Sequence, residues 1–187
     1  MTPVSMLRAT LDDLYREEGK AELIGGRIVR FMASGHLPGV VAEEIFVGLR
    51  LYVKTHRRGI AHADGVGYAV PELPSGRESF SPDASYFSGV LPPNRMRFME
   101  GPPDLAVEVR SANDYGNAAE EEMESKRADY FAAGTLVVWD VDPQAETVSV
   151  YRAADPGHPS VYRRGETAEA EPAVPGWKME VDEIFPA

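Results

Sequence analysis

The sequence predicts one layered α/β (α+β) domain spanning residues 1–187. Three observations carry this expectation. The chain of 187 residues has the length of one domain. Short apolar runs punctuated by Gly and Pro have the length of strands, and two longer segments carrying apolar residues at helical spacing bracket them. Strands and helices alternating in this way bury their apolar faces by stacking as layers. A chain of this size buries roughly 70% of its unfolded surface, enough for a core without disulfides or metal.

In chain order, Thr10 is a cap for a short first helix, with Asp12 and Asp13 in its first turn and Gly19 beyond its end. The segments 21–24 and 27–32 flank Gly25-Gly26, a two-residue hairpin signature. Across residues 40–54, Val41, Ile45, Leu49, Tyr52 and Val53 recur at helical spacing, and Arg57-Arg58-Gly59 supplies the positive charge and glycine of a helix end. Strands are expected over 65–70, 79–88 and 105–109, separated by Pro/Gly-rich loops at 71–77 and 89–103. A second helix is expected over 117–133, stopping at Gly134, with strands over 135–141 and 146–152 after it. The tail, 174–185, reads as a docking arm, not a second domain.

Composition narrows the function. The chain has no cysteine, which excludes disulfides, thiolate nucleophiles and cysteine-bound zinc, and suits a reducing compartment. A formal net charge of −11 leaves no basic exterior for nucleic acid or an anionic membrane, so nucleic acid would have to bind through a local groove. No apolar stretch reaches membrane-spanning length. Residues 1–13 lack the basic start and apolar core of a secretory signal, and a cytoplasmic location is expected.

Three residues sit awkwardly in a purely architectural reading. Leu105-Ala106-Val107-Glu108-Val109 has the near-continuous apolarity of a strand covered on both faces, with Glu108 inside it. A buried carboxylate costs several kcal/mol unless it meets a cation, a metal or a proton. Ser81-Pro82-Asp83 places a carboxylate where the chain meets the sheet. On the second helix Ala119, Met123, Lys126 and Tyr130 share one stripe, so Lys126 interrupts the face aimed at the sheet and is expected to meet Glu108. With Asp83 and Glu108 on neighbouring strands about 5 Å apart, one Mg²⁺ (or Mn²⁺) could touch both.

Asp83, Glu108 and Lys126, taken with Pro102-Pro103-Asp104-Leu105-Ala106-Val107-Glu108-Val109 and Trp139-Asp140-Val141-Asp142-Pro143, resemble the Uma-two family of the PD-(D/E)XK nuclease superfamily. The resemblance runs from residue 21 to residue 177. It implies a restriction-endonuclease-like core: a central mixed β-sheet flanked by helices, with an N-terminal hairpin and a C-terminal arm. It also implies an Mg²⁺-dependent endonuclease site, with Asp83 and Glu108 as metal-binding acids, Glu22 as an accessory metal ligand and Lys126 as the catalytic lysine. The superfamily's usual lysine position, two residues after Glu108, holds Arg110, and most members carry an aspartate where Gly25 stands.

The bland accounts are a structural ion pair for Glu108 with Lys126, a turn residue for Asp83 and an exposed hairpin charge for Glu22. His36, His56, His62 and His158 have no metal-ligand spacing. Lys54, His56, Arg57, Arg58, Arg95 and Arg97 are the candidates for a local basic rim. The rival to the endonuclease is a non-catalytic homodimeric interaction module on the same fold, its apolar surface offered by sheet edges and by Trp177, Ile184 and Phe185 in the tail. A weaker third reading is a hydrolase of small phosphorylated metabolites.

Overall fold

Short apolar runs and two long amphipathic segments build the expected layers around a six-stranded sheet. The computed structural model describes residues 8–185, so the first residues of the stretch read for a signal and the extreme ends of the expected domain lie outside the described residues. The elements are α1 (Leu11–Leu14), β1 (Ala21–Ile24), β2 (Arg27–Arg30), α2 (His36–His56), β3 (Ile60–Ala63), β4 (Tyr68–Ala69), β5 (Ser79–Phe80), β6 (Ala84–Phe87), β7 (Met99–Glu100) and β8 (Leu105–Val109). They continue with α3 (Asn117–Ala133), β9 (Val137–Asp142), β10 (Thr147–Arg152), β11 (Asp155–Arg163), β12 (Thr167–Glu169), β13 (Lys178–Glu180) and α4 (Val181–Ile184).

The main sheet runs β11-β10-β9-β8-β6-β3. It is mixed: β8 and β9 are parallel, joined through α3, while the other neighbours are antiparallel. Alternation along β8 separates two cores. Leu105, Val107 and Val109 pack with Val41, Ile45 and Leu49 of α2. Ala106 points the other way, with Tyr130 of α3, Phe80 and Tyr68, and period-two alternation sends Glu108 to that same face. That side is completed by a small sheet, β5-β4-β7.

Local chemistry explains most boundaries. Thr10 and Asp13 form a reciprocal capping box on α1. Gly25 and Gly26 both have positive φ, 58° and 69°, the backbone that a two-residue hairpin turn between β1 and β2 requires. Helix α2 begins earlier than its apolar spacing implies and takes Pro38 into its first turn, where no intrahelical N–H is lost. Helix α3 occupies the expected residues and ends on Gly134 at φ 111°.

Several expectations need correcting. The run 79–88 is two strands, because Pro82 lacks an N–H and the Asp83 N–H donates to Val107 O at 2.9 Å as the chain crosses between sheets. Strand β3 was not expected: Ile60-Ala61-His62-Ala63 has little alternation and is strand only through pairing with β6. Strand β11, with Pro156 and Pro159, is tolerated because it lies at the sheet edge. The tail does not offer the apolar surface expected for self-association. Trp177, Ile184 and Phe185 are buried in the main core, and Trp177 stacks on Trp139 with ring centroids 5.1 Å apart. No helix among the described residues is long and apolar enough to cross a membrane.

Candidate active site

Where β8 leaves the β6 ladder, four elements bring ionisable groups to one place. Asp83 stands just before β6, with Ala84 paired to Val107. Its backbone bond to Val107 and a bond from the Val109 N–H to its Oδ2 at 2.8 Å fix the carboxylate beside the backbone that carries Glu108. The Asp83 side chain is only 14% exposed.

Glu108 projects from β8 toward α3. Its Oε2 accepts from Lys126 Nζ at 2.9 Å and its Oε1 from the Tyr130 hydroxyl at 2.6 Å. Lys126 and Tyr130 lie four residues apart on the helix, so one face of α3 delivers both donors. Phe80 stacks on the Tyr130 ring at 4.1 Å and fixes its position. The half-exposed Phe31 closes the outer side, with Lys126 Nζ 5.6 Å from its ring centre.

Glu22 is not the exposed hairpin charge of the plainer account. It is fully buried, because β1 packs against the segment leading into β5 through Leu23 N–H to Ser79 Oγ at 2.8 Å and Glu78 N–H to Leu23 O at 2.9 Å. Glu22 Oε1 accepts from the Ser81 N–H at 2.9 Å and lies 3.3 Å from Lys126 Nζ, while Oε2 pairs with Arg77. Arg77 also donates to Asp129 at 2.9 Å.

The structure therefore brings Glu22, Asp83, Glu108 and Lys126 together, and adds Lys20, Arg77 and Tyr130. Lys20 Nζ lies 2.6 Å from Asp83 Oδ1 and 2.8 Å from Asp64 Oδ1. Lys20 lies on the bend just before β1, outside the strand whose alternation could have singled it out. Arg77 comes from a Pro/Gly-rich loop and carries no periodic signal. Arg110 does not reach this cluster: it binds Asp140 through two bonds, at 2.8 and 2.9 Å, and also pairs with Glu120.

Electrostatics follow from burial and neighbours. Burial pushes the Glu108 carboxyl above its usual range; Lys126 pulls it down, and Asp83 pushes it up again. Burial also acts to raise Glu22, but Lys126 and Arg77 outweigh it and hold that carboxyl low. The Lys126 and Lys20 ammoniums would be lowered by burial, yet their carboxylate neighbours keep both above the normal lysine value.

The donor set suits a hard divalent cation. Two adjacent ion-pair networks, Lys20 with Asp64 and Asp83, and Arg77 and Lys126 with Glu22, Glu108 and Asp129, set three cations against five carboxylates. The cluster is thus two positive charges short of neutral. Mg²⁺ is commonly held by one or two carboxylates with water and phosphate completing its shell, and Asp83 beside Glu108 meets that need. Among the described residues no group of three or more acids or histidines stands ready to enclose a metal. Beside Lys20, a cavity of about 340 Å³ includes Gly65, Gly67 and Ser81 in its wall. It adjoins one of about 430 Å³ lined by Tyr15, Arg95, Arg97 and Phe98.

Residues 8–182 match the model of the family described as "Uma2: Putative restriction endonuclease". Among solved structures, the chain is similar to "a putative nuclease belonging to DUF820 from Anabaena variabilis ATCC 29413". The two share 20% identity with a TM-score of 0.72, over 94% of this chain and 97% of that one, which establishes a common fold. No curated protein matched.

Proposed function

We propose that this chain, which belongs to the Uma2 family, hydrolyses phosphodiester bonds of nucleic acid with Mg²⁺ or Mn²⁺ held by Asp83 and Glu108. The observation that carries the reading is the side-by-side placement of these acids with Lys126 hydrogen-bonded to one of them at 2.9 Å. When bound, the ion polarises a phosphoryl oxygen and lowers the pKa of a coordinated water.

The chain's own residues supply the rest. The Val109 N–H holds Asp83 in place, and the Tyr130 hydroxyl does the same for Glu108. Glu22, expected as an accessory ligand, is fully buried between Ser81, Lys126 and Arg77, whereas the Asp83 and Glu108 side chains keep 14% and 20% exposure. We assign it to holding Lys126 charged and aimed at the reacting centre. From there the ammonium offsets negative charge developing on the phosphoryl group. Arg95 and Arg97, on the wall of the adjoining cavity, give phosphate a local approach despite the acidic exterior.

The test is cleavage of single- and double-stranded oligonucleotides with Mg²⁺ or Mn²⁺, comparing wild type with Asp83→Asn, Glu108→Gln and Lys126→Met. All three should retain the fold, and the first two should lose metal binding together with cleavage. Lys126→Met should slow cleavage by about 10²-fold or more at saturating metal. Undiminished cleavage by the Asp83 and Glu108 variants would refute the assignment.

A further inference from the structure

Lys20 stands where an ion bound to Asp83 would meet a resident positive charge. Its side chain is 19% exposed, lines the 340 Å³ cavity and is shared between two carboxylates that differ in setting. Asp83 is mostly buried beside Glu108, whereas Asp64 is 47% exposed on the turn after β3. Asp64 Oδ1 is itself positioned by the Gly65 N–H at 2.7 Å. The ammonium therefore has a second, pre-positioned partner at 2.8 Å and need not leave the site if it loses the first.

We infer that Lys20 is a displaceable counter-ion: it holds Asp83 Oδ1 until a divalent cation takes that oxygen, and the ammonium then remains on Asp64. The inference rests on the metal-site reading above and deepens it. A cation hydrogen-bonded to a ligand oxygen opposes the approach of a second cation, strongly so where water is largely excluded. It also spares the metal-free protein a mostly buried Asp83 carboxylate with no cation beside Glu108.

Calorimetric titration of Mn²⁺ into metal-free protein reads the competition directly, without reference to turnover. Lys20→Met should bind Mn²⁺ at least about tenfold more tightly than wild type, because a unit charge is removed from beside a ligand. Lys20→Arg, which keeps the charge, should stay near wild type. Asp64→Asn should weaken binding by leaving the ammonium only Asp83, and most of that loss should vanish in the Lys20→Met, Asp64→Asn double variant. Lys20→Gln must show the same direction as the Met variant and replaces it should that variant not fold.

Unchanged or weaker Mn²⁺ binding by folded Lys20→Met or Lys20→Gln overturns the inference while leaving the metal site intact. Binding seen only once Lys20 is removed supports it most strongly. Absence of Mn²⁺ binding in every variant sinks the metal site and the inference together.

Discussion

Replacing Lys126 with methionine keeps most of the stem that packs beneath the sheet and removes the ammonium from between Glu22 and Glu108. The lysine side chain is 19% exposed, Glu22 is fully buried and Glu108 is 20% exposed, so solvent screens little of the loss. Breaking a buried pair by deleting one partner costs about 3–5 kcal/mol. In a domain of this size each kcal/mol moves Tm by roughly 2–4 °C, so the metal-free variant should melt on the order of 10 °C lower at pH 7. The deficit should shrink in acid. Burial already raises the Glu108 carboxyl, and loss of Lys126 raises it further. An acid raised in the folded state contributes stability that falls as pH rises through its folded pKa, so protonation at low pH relieves the orphaned charge. Adding Glu108→Gln to Lys126→Met should recover most of the loss at pH 7. Thermal melts by circular dichroism in EDTA decide the matter: a Lys126→Met variant melting within about 2 °C of wild type would refute the buried-pair reasoning.

Other outcomes follow from neighbouring features. Glu22 is held low in the folded state, so its stabilisation is present above the ordinary glutamate range and lost as pH falls through the folded value. Glu22→Gln should accordingly flatten the acid limb of a stability–pH curve measured by urea denaturation. Arg110→Lys gives up the two-bond grip on Asp140 and should lose about 1–2 kcal/mol in the same assay, with Mn²⁺ affinity unchanged. A fall in metal affinity would instead place Arg110 in the site. Trp177→Ala empties a buried ring position stacked on Trp139 and should cost about 3–5 kcal/mol, whereas a merely docked arm would tolerate it. Gly59→Ala, at φ 68° with its added carbon running into the Tyr86 ring, should lower Tm clearly; an unchanged melt would show that the α2–β3 turn rearranges freely.

Much of the site is legible in the sequence because it violates local rules. Glu108 interrupts an apolar strand and Lys126 interrupts an apolar helical stripe, and such anomalies are visible without coordinates. Asp83 is legible by its order before them and by its Ser-Pro-Asp setting. Glu22, Lys20 and Arg77 are different. A short hairpin with charges on alternate residues looks like a solvated ribbon until something packs on it, and here β1 is covered through Leu23, Glu78 and Ser79. Arg110 shows the converse: its position suggests the site, but the matched register of Glu108 with Asp140 gives it another carboxylate.

By itself the sequence determined the two long helices, the strand buried on both faces, the tight turn at Gly25-Gly26 and the presence of two charges, Glu108 and Lys126, where apolar residues belong. These depend on residue type and on periodicities of two and 3.6, which are properties of a short stretch of chain. The tertiary structure alone decided that β3 and β11 are strands, that the tail fills the core, and that Lys20 shares Asp83 with Asp64 while Arg77 anchors Glu22. Edge pairing, burial and ion-pair partnership depend on which distant segments meet, and no local pattern encodes that meeting.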